Sequence, residues 1–148
     1  SPKTEFVGKS AKYILDKIGI TVGDDVKVIL MEAKEDHPFV QVELMMPILP
    51  LVRVPDVDQA IEMAVRVEHG NRHTAMMHSR NVEKLTKMAK LIQTTIFVKN
   101  GPSYAGIGVG GEGYTTFTIA GPTGEGLTSA KSFARRRRCV LVGGMDVR

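Results

Sequence analysis

Residues 48–98 read ILPLVRVPDVDQAIEMAVRVEHGNRHTAMMHSRNVEKLTKMAKLIQTTIFV, and their periodicity decides the fold. Residues 48–54, bounded by Pro47 and Pro55, are a compact apolar run of the kind a buried strand requires. Asp56 then offers an N-cap, with Gln59 three residues on in a capping-box arrangement. Val57, Ala60, Ile61, Ala64 and Val65 line one helical face, and Gly70 stops that helix. Residues 74–78 form a short strand. Val82, Leu85, Met88, Ala89 and Ile92 mark a second amphipathic helix, and residues 95–98 the strand after it. The order β-α-β-α-β predicts an α/β fold: a parallel sheet with covering helices and right-handed crossovers.

Outward from this block the pattern changes. On the N-terminal side, residues 9–18 place Ala11, Ile14, Leu15 and Ile18 on one helical face ended by Gly19, and residues 26–31 are a candidate buried strand. After Asn100 helical periodicity stops and Gly, Thr and Pro accumulate. Residues 138–142 close the chain as a final strand. A tail without helical cover predicts an extended arm, paired with another part of the molecule or with a second subunit.

A chain of 148 residues fits one domain with a real core. At 43% hydrophobic and 24% charged, the composition argues against a disordered or membrane-embedded chain. No long uncharged apolar run or signal-peptide pattern occurs. The net charge of +4 is local, since Arg135, Arg136, Arg137 and Arg138 alone account for it. No aromatic interleaving or reading helix accompanies that block, so it does not predict nucleic-acid binding. Arginines beside a strand pair with carboxylates at a subunit contact, or reach a phosphate. The single cysteine suits a reducing cytoplasm. Cys139, inside an apolar terminal strand, reads as a buried structural thiol rather than a nucleophile. Most of the eight methionines read as core. The first residue, Ser rather than Met, suggests a processed or truncated chain.

Residues 94–126 read TTIFVKNGPSYAGIGVGGEGYTTFTIAGPTGEG. G-x-G-x-x-G occurs twice, at Gly106, Gly108, Gly111 and at Gly108, Gly110, Gly113. That spacing holds a pyrophosphate only where it leads from a strand into a helix. Here Tyr114, Thr115, Thr116, Phe117, Thr118 and Ile119 read as another strand. The run therefore reads as a close-packed surface loop between extended segments.

His73 stands at a loop-to-strand junction, a place where α/β proteins often line sites, though a histidine bonded to backbone is the structural alternative. His69 and His73 are separated by a helix-breaking glycine, and His73 and His78 face opposite sides of a strand. With no further thiol or carboxylate to complete a set, no metal site is expected. Glu43, ahead of a strand, reads from its residue type alone as solvated.

Three ordered blocks carry a family resemblance: VKNGPSYAGIGVGGEGYTTFTIAGPTGEGLTS (98–129), HPFVQVELMMPILPLVRVPDVDQAIEMAVRVEHGNRHTAMMHS (37–79) and KSFARRRRCVLV (131–142). Together they resemble the C-terminal region of the CoA-acylating aldehyde dehydrogenases, of the propanediol- and ethanolamine-utilisation type found in bacterial microcompartments. The resemblance implies that residues 1–120 are the C-terminal part of the catalytic domain and residues 121–148 an oligomerisation arm. It implies a cytoplasmic or microcompartment-lumen enzyme, a dimer or tetramer, that converts a short-chain aldehyde, NAD and CoA to acyl-CoA and NADH. Its cysteine nucleophile would lie N-terminal to the matched part, leaving this chain inactive alone. In VELMMP, Glu43 matches the glutamate of the family's E-x-F-G-P motif, which bonds the nicotinamide ribose hydroxyls. Met45 and Met46 replace Phe and Gly, and Pro47 is retained. The resemblance places His73 near the catalytic thiol, where a neutral imidazole could take the proton of the CoA thiol or assist acyl release. It places Asn100, Gly101, Pro102, Ser103 and Tyr104 along the substrate or CoA entrance. The alternative is a non-enzymatic module whose glycine-rich loop and basic arm bind anions or partners.

Overall fold

The structure, a computed structural model, describes residues 2–113, 128–140 and 142–143. Its strands are β1 (Ile29–Glu32), β2 (Ile48–Leu51), β3 (Thr74–Met77) and β4 (Ile96–Lys99). Its α-helices are α1 (Ala11–Asp16), α2 (Pro38–Gln41), α3 (Val57–Val67) and α4 (Val82–Ile92). The expected order β-α-β-α-β is present as β2-α3-β3-α4-β4. The sheet, however, is divided: β1 pairs with β2 and β3 with β4, both in parallel, with no ladder joining the pairs among the described residues.

Proline explains part of this division. The Ile29 and Ala33 N–H groups donate to the carbonyls of Pro47 and Leu51, each at 2.8 Å, so the odd positions of β2 face β1. Alternation turns Pro50 toward the opposite edge, where it brings no N–H for a further strand.

α3 starts at the expected cap, and α4 at a second cap that the sequence reading did not name. The Asp56 carboxylate accepts the Gln59 N–H at 2.9 Å and Asn81 that of Lys84 at 3.0 Å. The return half of the expected capping box differs, because the Gln59 amide donates its N–H to the Asp56 carboxylate instead of accepting from the Asp56 backbone N–H. Ile61, Met88 and Ile92 form the buried centre between α3 and α4, with Ala75, Met77 and Phe97 of the β3–β4 pair packed against it. Val82, on the expected apolar face, is 65% exposed. α1 is shorter than expected and leaves Ile18 exposed.

The second sheet is covered less well. Ile29, Met31, Ile48 and Pro50 are half-buried, whereas Leu30, Leu49 and Leu51 on the other face are exposed. The expected buried strand over 26–31 is thus a one-face strand starting at Ile29.

Two expectations for the tail fail. No strand forms at residues 138–140 or at Val142, because a strand needs a neighbour and none pairs with this segment among the described residues. Cys139 is exposed rather than buried, as are Val140 and Val142. The strand expected over Tyr114 to Ile119 lies outside the described residues.

The glycine-rich loop is close-packed as far as Gly113. Residues Ser103–Ile107 form one 3-10 stretch packed on β4. A Cβ on Gly106 would collide with the Ile96 side chain, and one on Gly113 with the Gly106 carbonyl. Glycine is required here for contact with protein, not for approach to a pyrophosphate.

Candidate functional site

The sequence-derived residues fall into three groups, each at the end of a strand. The first precedes β2. Leu44, 7% exposed, anchors the segment in the interior, and Glu43 and Met45 on either side of it are exposed. Met45 holds φ at 50°, uncommon for a long side chain. Its carbonyl accepts the Gly8 N–H at 3.0 Å, which ties this turn to the N-terminal segment. Met45, Met46 and Pro47 line an open cleft of about 550 Å³, whose opposite wall carries Lys9, Lys12, Asp24 and Lys27. Asp24 pairs with Lys12 at 3.1 Å and its carbonyl accepts Lys27 Nζ at 2.6 Å. Glu43 is not part of that wall and forms no ion pair among the described residues.

The second group is the turn before β3. His69, Gly70 and Arg72 all have positive φ, at 55°, 75° and 52°. Two left-handed non-glycine residues store strain that their surroundings must hold. Glu68 does much of the holding. Its carbonyl accepts Asn71 N–H at 3.1 Å and the Asn71 amide at 2.9 Å, and its carboxylate accepts the His73 N–H at 3.3 Å. On the other side the carbonyls of Arg72 and His73 accept Thr95 and Ile96 N–H at 2.9 and 3.1 Å. The His73 backbone is therefore fixed while its ring is exposed, with Nδ1 2.7 Å from the Thr74 hydroxyl. The ring's partner is a side chain rather than backbone.

The third group follows β4. Asn100 holds φ at 54° and clasps the loop after β3: its Oδ1 accepts Ser79 N–H at 2.7 Å and its Nδ2 donates to Ser79 O at 2.9 Å. Gly101 lies against Val98, Ser103 and Tyr104 open the 3-10 stretch, and Tyr104 is 60% exposed. Because Thr74 pairs with Ile96 and Met77 with Lys99, His73 sits at the amino edge of this pair and Asn100 at its carboxyl edge. Along the strands they lie five residues of register apart, about 16 Å at ~3.3 Å per residue. The β3–β4 register keeps His73 apart from Asn100. Glu68, Thr74 and Ser79 were missed by sequence reasoning. Only the His-Thr adjacency offered a signal for any of them.

The aldehyde dehydrogenase family pattern matches residues 27–125. The chain belongs to the aldehyde dehydrogenase family, and its parallel strand pairs and covering helices are part of that α/β fold. Among curated relatives, the propanal dehydrogenase (CoA-propanoylating) of Citrobacter freundii is 56% identical over 145 residues, which is 97% of this chain and 32% of that protein. Two solved structures are each 74% identical. One is the Rhodopseudomonas palustris propionaldehyde dehydrogenase with bound CoA and an acylated cysteine, at a TM-score of 0.87. The other is an engineered glycolyl-CoA reductase with bound NADP+, at 0.86. A propionaldehyde dehydrogenase from the Clostridium phytofermentans fucose utilisation bacterial microcompartment is 55% identical, with a TM-score of 0.85. Each structural match covers 94% of this chain and 32% of the other. The chain thus spans about a third of the length of these relatives. They are enzymes by name, and nothing in them supports the alternative of a non-enzymatic module.

Proposed function

We propose that this chain is the C-terminal third of a CoA-acylating aldehyde dehydrogenase that oxidises a short-chain aldehyde with NAD and passes the acyl group to CoA. The observation that carries the reading is the 56% identity across 97% of the chain to a CoA-propanoylating propanal dehydrogenase. The net reaction is aldehyde, NAD⁺ and CoA to acyl-CoA, NADH and a proton. A cysteine thiolate, supplied from outside this chain, adds to the carbonyl, and loss of hydride leaves a thioester that the CoA thiol then cleaves. The bound dinucleotide supplies the hydride acceptor.

The residues of this chain suit binding and proton handling. Glu43, exposed and unpaired among the described residues, is free to accept from two vicinal ribose hydroxyls. Met45, 65% exposed beside it, offers an apolar surface in place of the family's phenylalanine, with Pro47 holding the turn. His73 presents an exposed imidazole from a fixed backbone, suited to taking the proton of the CoA thiol. Asn100 shapes the entrance by clasping Ser79, with Gly101, Pro102, Ser103 and Tyr104 forming its rim. We assign residues 1–120 to the catalytic domain and 121–148 to an arm that joins subunits in a homo-oligomer. The microcompartment origin of one relative supports a lumenal or cytoplasmic site of action. Among the described residues no helix is long and apolar enough to cross a membrane.

The test uses the protein at the length of its relatives. His73→Ala should slow CoA-dependent acyl transfer by about 10²–10⁴-fold, as for a positioned acid or base, and leave the burst of NADH without CoA largely intact. If both steps fall together and the variant melts early, His73 is a structural residue and its proton role is withdrawn.

A further inference from the structure

Of the chain's three asparagines, only Asn100 precedes a glycine; Asn71 precedes Arg72 and Asn81 precedes Val82. An Asn-Gly pair is chemically open, because no side chain on the second residue shields its backbone nitrogen from the amide carbon of the first. The fold does not demand that glycine. Its φ lies outside the left-handed region, and a Cβ at Gly101 would meet Val98 Cγ1 at 3.4 Å and Ala105 Cβ at 3.7 Å, which are ordinary contacts. The left-handed residue of the turn is Asn100 itself, at φ 54°, a conformation that asparagine tolerates.

Backbone groups fix the orientation of the Asn100 amide. The Ser79 N–H can only donate and the Ser79 carbonyl can only accept. The amide oxygen therefore faces the first, at 2.7 Å, and its NH2 the second, at 2.9 Å. Ser79 is itself held, since its hydroxyl accepts the N–H of Asn81, the cap of α4, at 3.0 Å. The clasp needs a planar amide with both polar atoms directed at one residue. Attack by the Gly101 nitrogen makes Cγ tetrahedral and ends with Nδ2 leaving, so the clasp must open for the reaction to proceed.

We propose that Asn100–Gly101 is a spontaneous modification site, a source of isoaspartate, which the Ser79 clasp keeps closed in the folded chain. In the reaction the Gly101 nitrogen bonds Cγ, the Cγ–Nδ2 bond breaks, and Nδ2 leaves as ammonia with the Gly101 amide proton. Water then opens the cyclic imide at one carbonyl to give aspartate, or at the other to give isoaspartate. Neither product rebuilds the clasp. Aspartate sets an oxygen against the Ser79 carbonyl, and isoaspartate draws the former side-chain carbonyl into the main chain. The added backbone carbon falls between the residue 100 N–H, bonded to Met77 O at 3.0 Å, and the 3-10 stretch Ser103–Ile107 packed on β4. Conversion therefore cuts the start of the glycine-rich loop loose from the turn between β3 and α4.

The test uses the protein at the length of its relatives. Peptide mass spectrometry follows conversion at Asn100 in buffer and in urea above the unfolding transition. Conversion should be about ten- to a hundredfold slower in the folded protein, the factor that two net hydrogen bonds represent. Gly101→Ala should suppress conversion in urea, since a side chain then shields the attacking nitrogen. In a urea series below the transition, the rate should rise with hydrogen exchange of the Ser79 N–H and not with that of the α3–α4 core amides, which separates opening of the clasp from unfolding of the chain. A folded rate equal to or above the unfolded one overturns the proposal. So does a rate that follows only core exchange, undiminished conversion in Gly101→Ala, or conversion of Asn71 or Asn81 ahead of Asn100 in urea.

Discussion

Asp58 lies between two lysines of the neighbouring helix, 2.6 Å from Lys84 Nζ and 2.8 Å from Lys87 Nζ. The hydrogen bonds from Lys84 and then Lys87 lower its pKa from the ordinary 3.8 to about 2. A depressed carboxylate contributes stability that is present above its unfolded pKa and is lost as pH falls through the folded one. Thermal unfolding should therefore show Tm falling between about pH 4 and pH 2, with Asp58→Asn flattening that part of the profile. A wild-type slope equal to the variant's over this window would remove Asp58 from the account. Since the group is solvent-accessible, salt should weaken the effect. Glu43 belongs to the same scale. In the longer protein, Glu43→Gln should slow single-turnover NADH formation about ten- to a hundredfold, the cost of losing a charge-assisted hydrogen bond. An unchanged single-turnover rate would withdraw the ribose contact.

The α3–α4 layer is the best-packed element of the chain. Ile61 is 2% exposed, and Met88 and Ile92 meet it at 5% and 4%. Ile61→Ala leaves a cavity whose walls are two helices and the β3–β4 pair, so collapse around it is restricted. The expected loss is about 2–5 kcal/mol in urea unfolding. A loss below about 1 kcal/mol would mean that the layer relaxes to fill the space, as volume-conserving swaps do. The same substitution at Val82, which is 65% exposed, serves as the control and should change little. The helical pattern over-predicts burial in the first turn of both helices, at Val57 of α3 and Val82 of α4, and at Ile18 beyond the end of α1.

At the scale of the whole molecule, the β1–β2 pair is incompletely covered. Leu30, Leu49 and Leu51 expose one face, and an apolar groove of about 540 Å³ between α1 and the other face is lined by Phe6, Ile14, Leu15, Ile29, Met31 and Ile48. A two-stranded sheet is marginal in water without further strands or packing. The chain should therefore self-associate when isolated, and light scattering at micromolar concentration should report a species larger than a monomer. A monodisperse monomer whose residues 128–140 are protected in hydrogen exchange would contradict this.

Local signals carried much of the reading. The cap at Asp56, the spacing of Ile61, Leu85, Met88 and Ile92, and the β-branched run at Thr95 and Ile96 specify α3, α4 and β4 through contacts within a few residues, and the Asn81 cap of α4 went unread. The relation to the acylating dehydrogenases was also legible, because the matched blocks span most of the chain. Strand pairing was not. Which edge of β2 finds a neighbour depends on Pro50's orientation, and the tail's strand depends on a partner that pairs with it, neither of which a periodicity encodes. The surroundings of the candidate residues were decided at the same level. His73 was found from its position and its family resemblance, but its bonds to Glu68 and Thr74, and the strand length that separates it from Asn100, come from the left-handed turn and the β3–β4 register. Cys139 was misjudged for the converse reason: apolar neighbours in sequence bury a thiol only where the fold lays something over them.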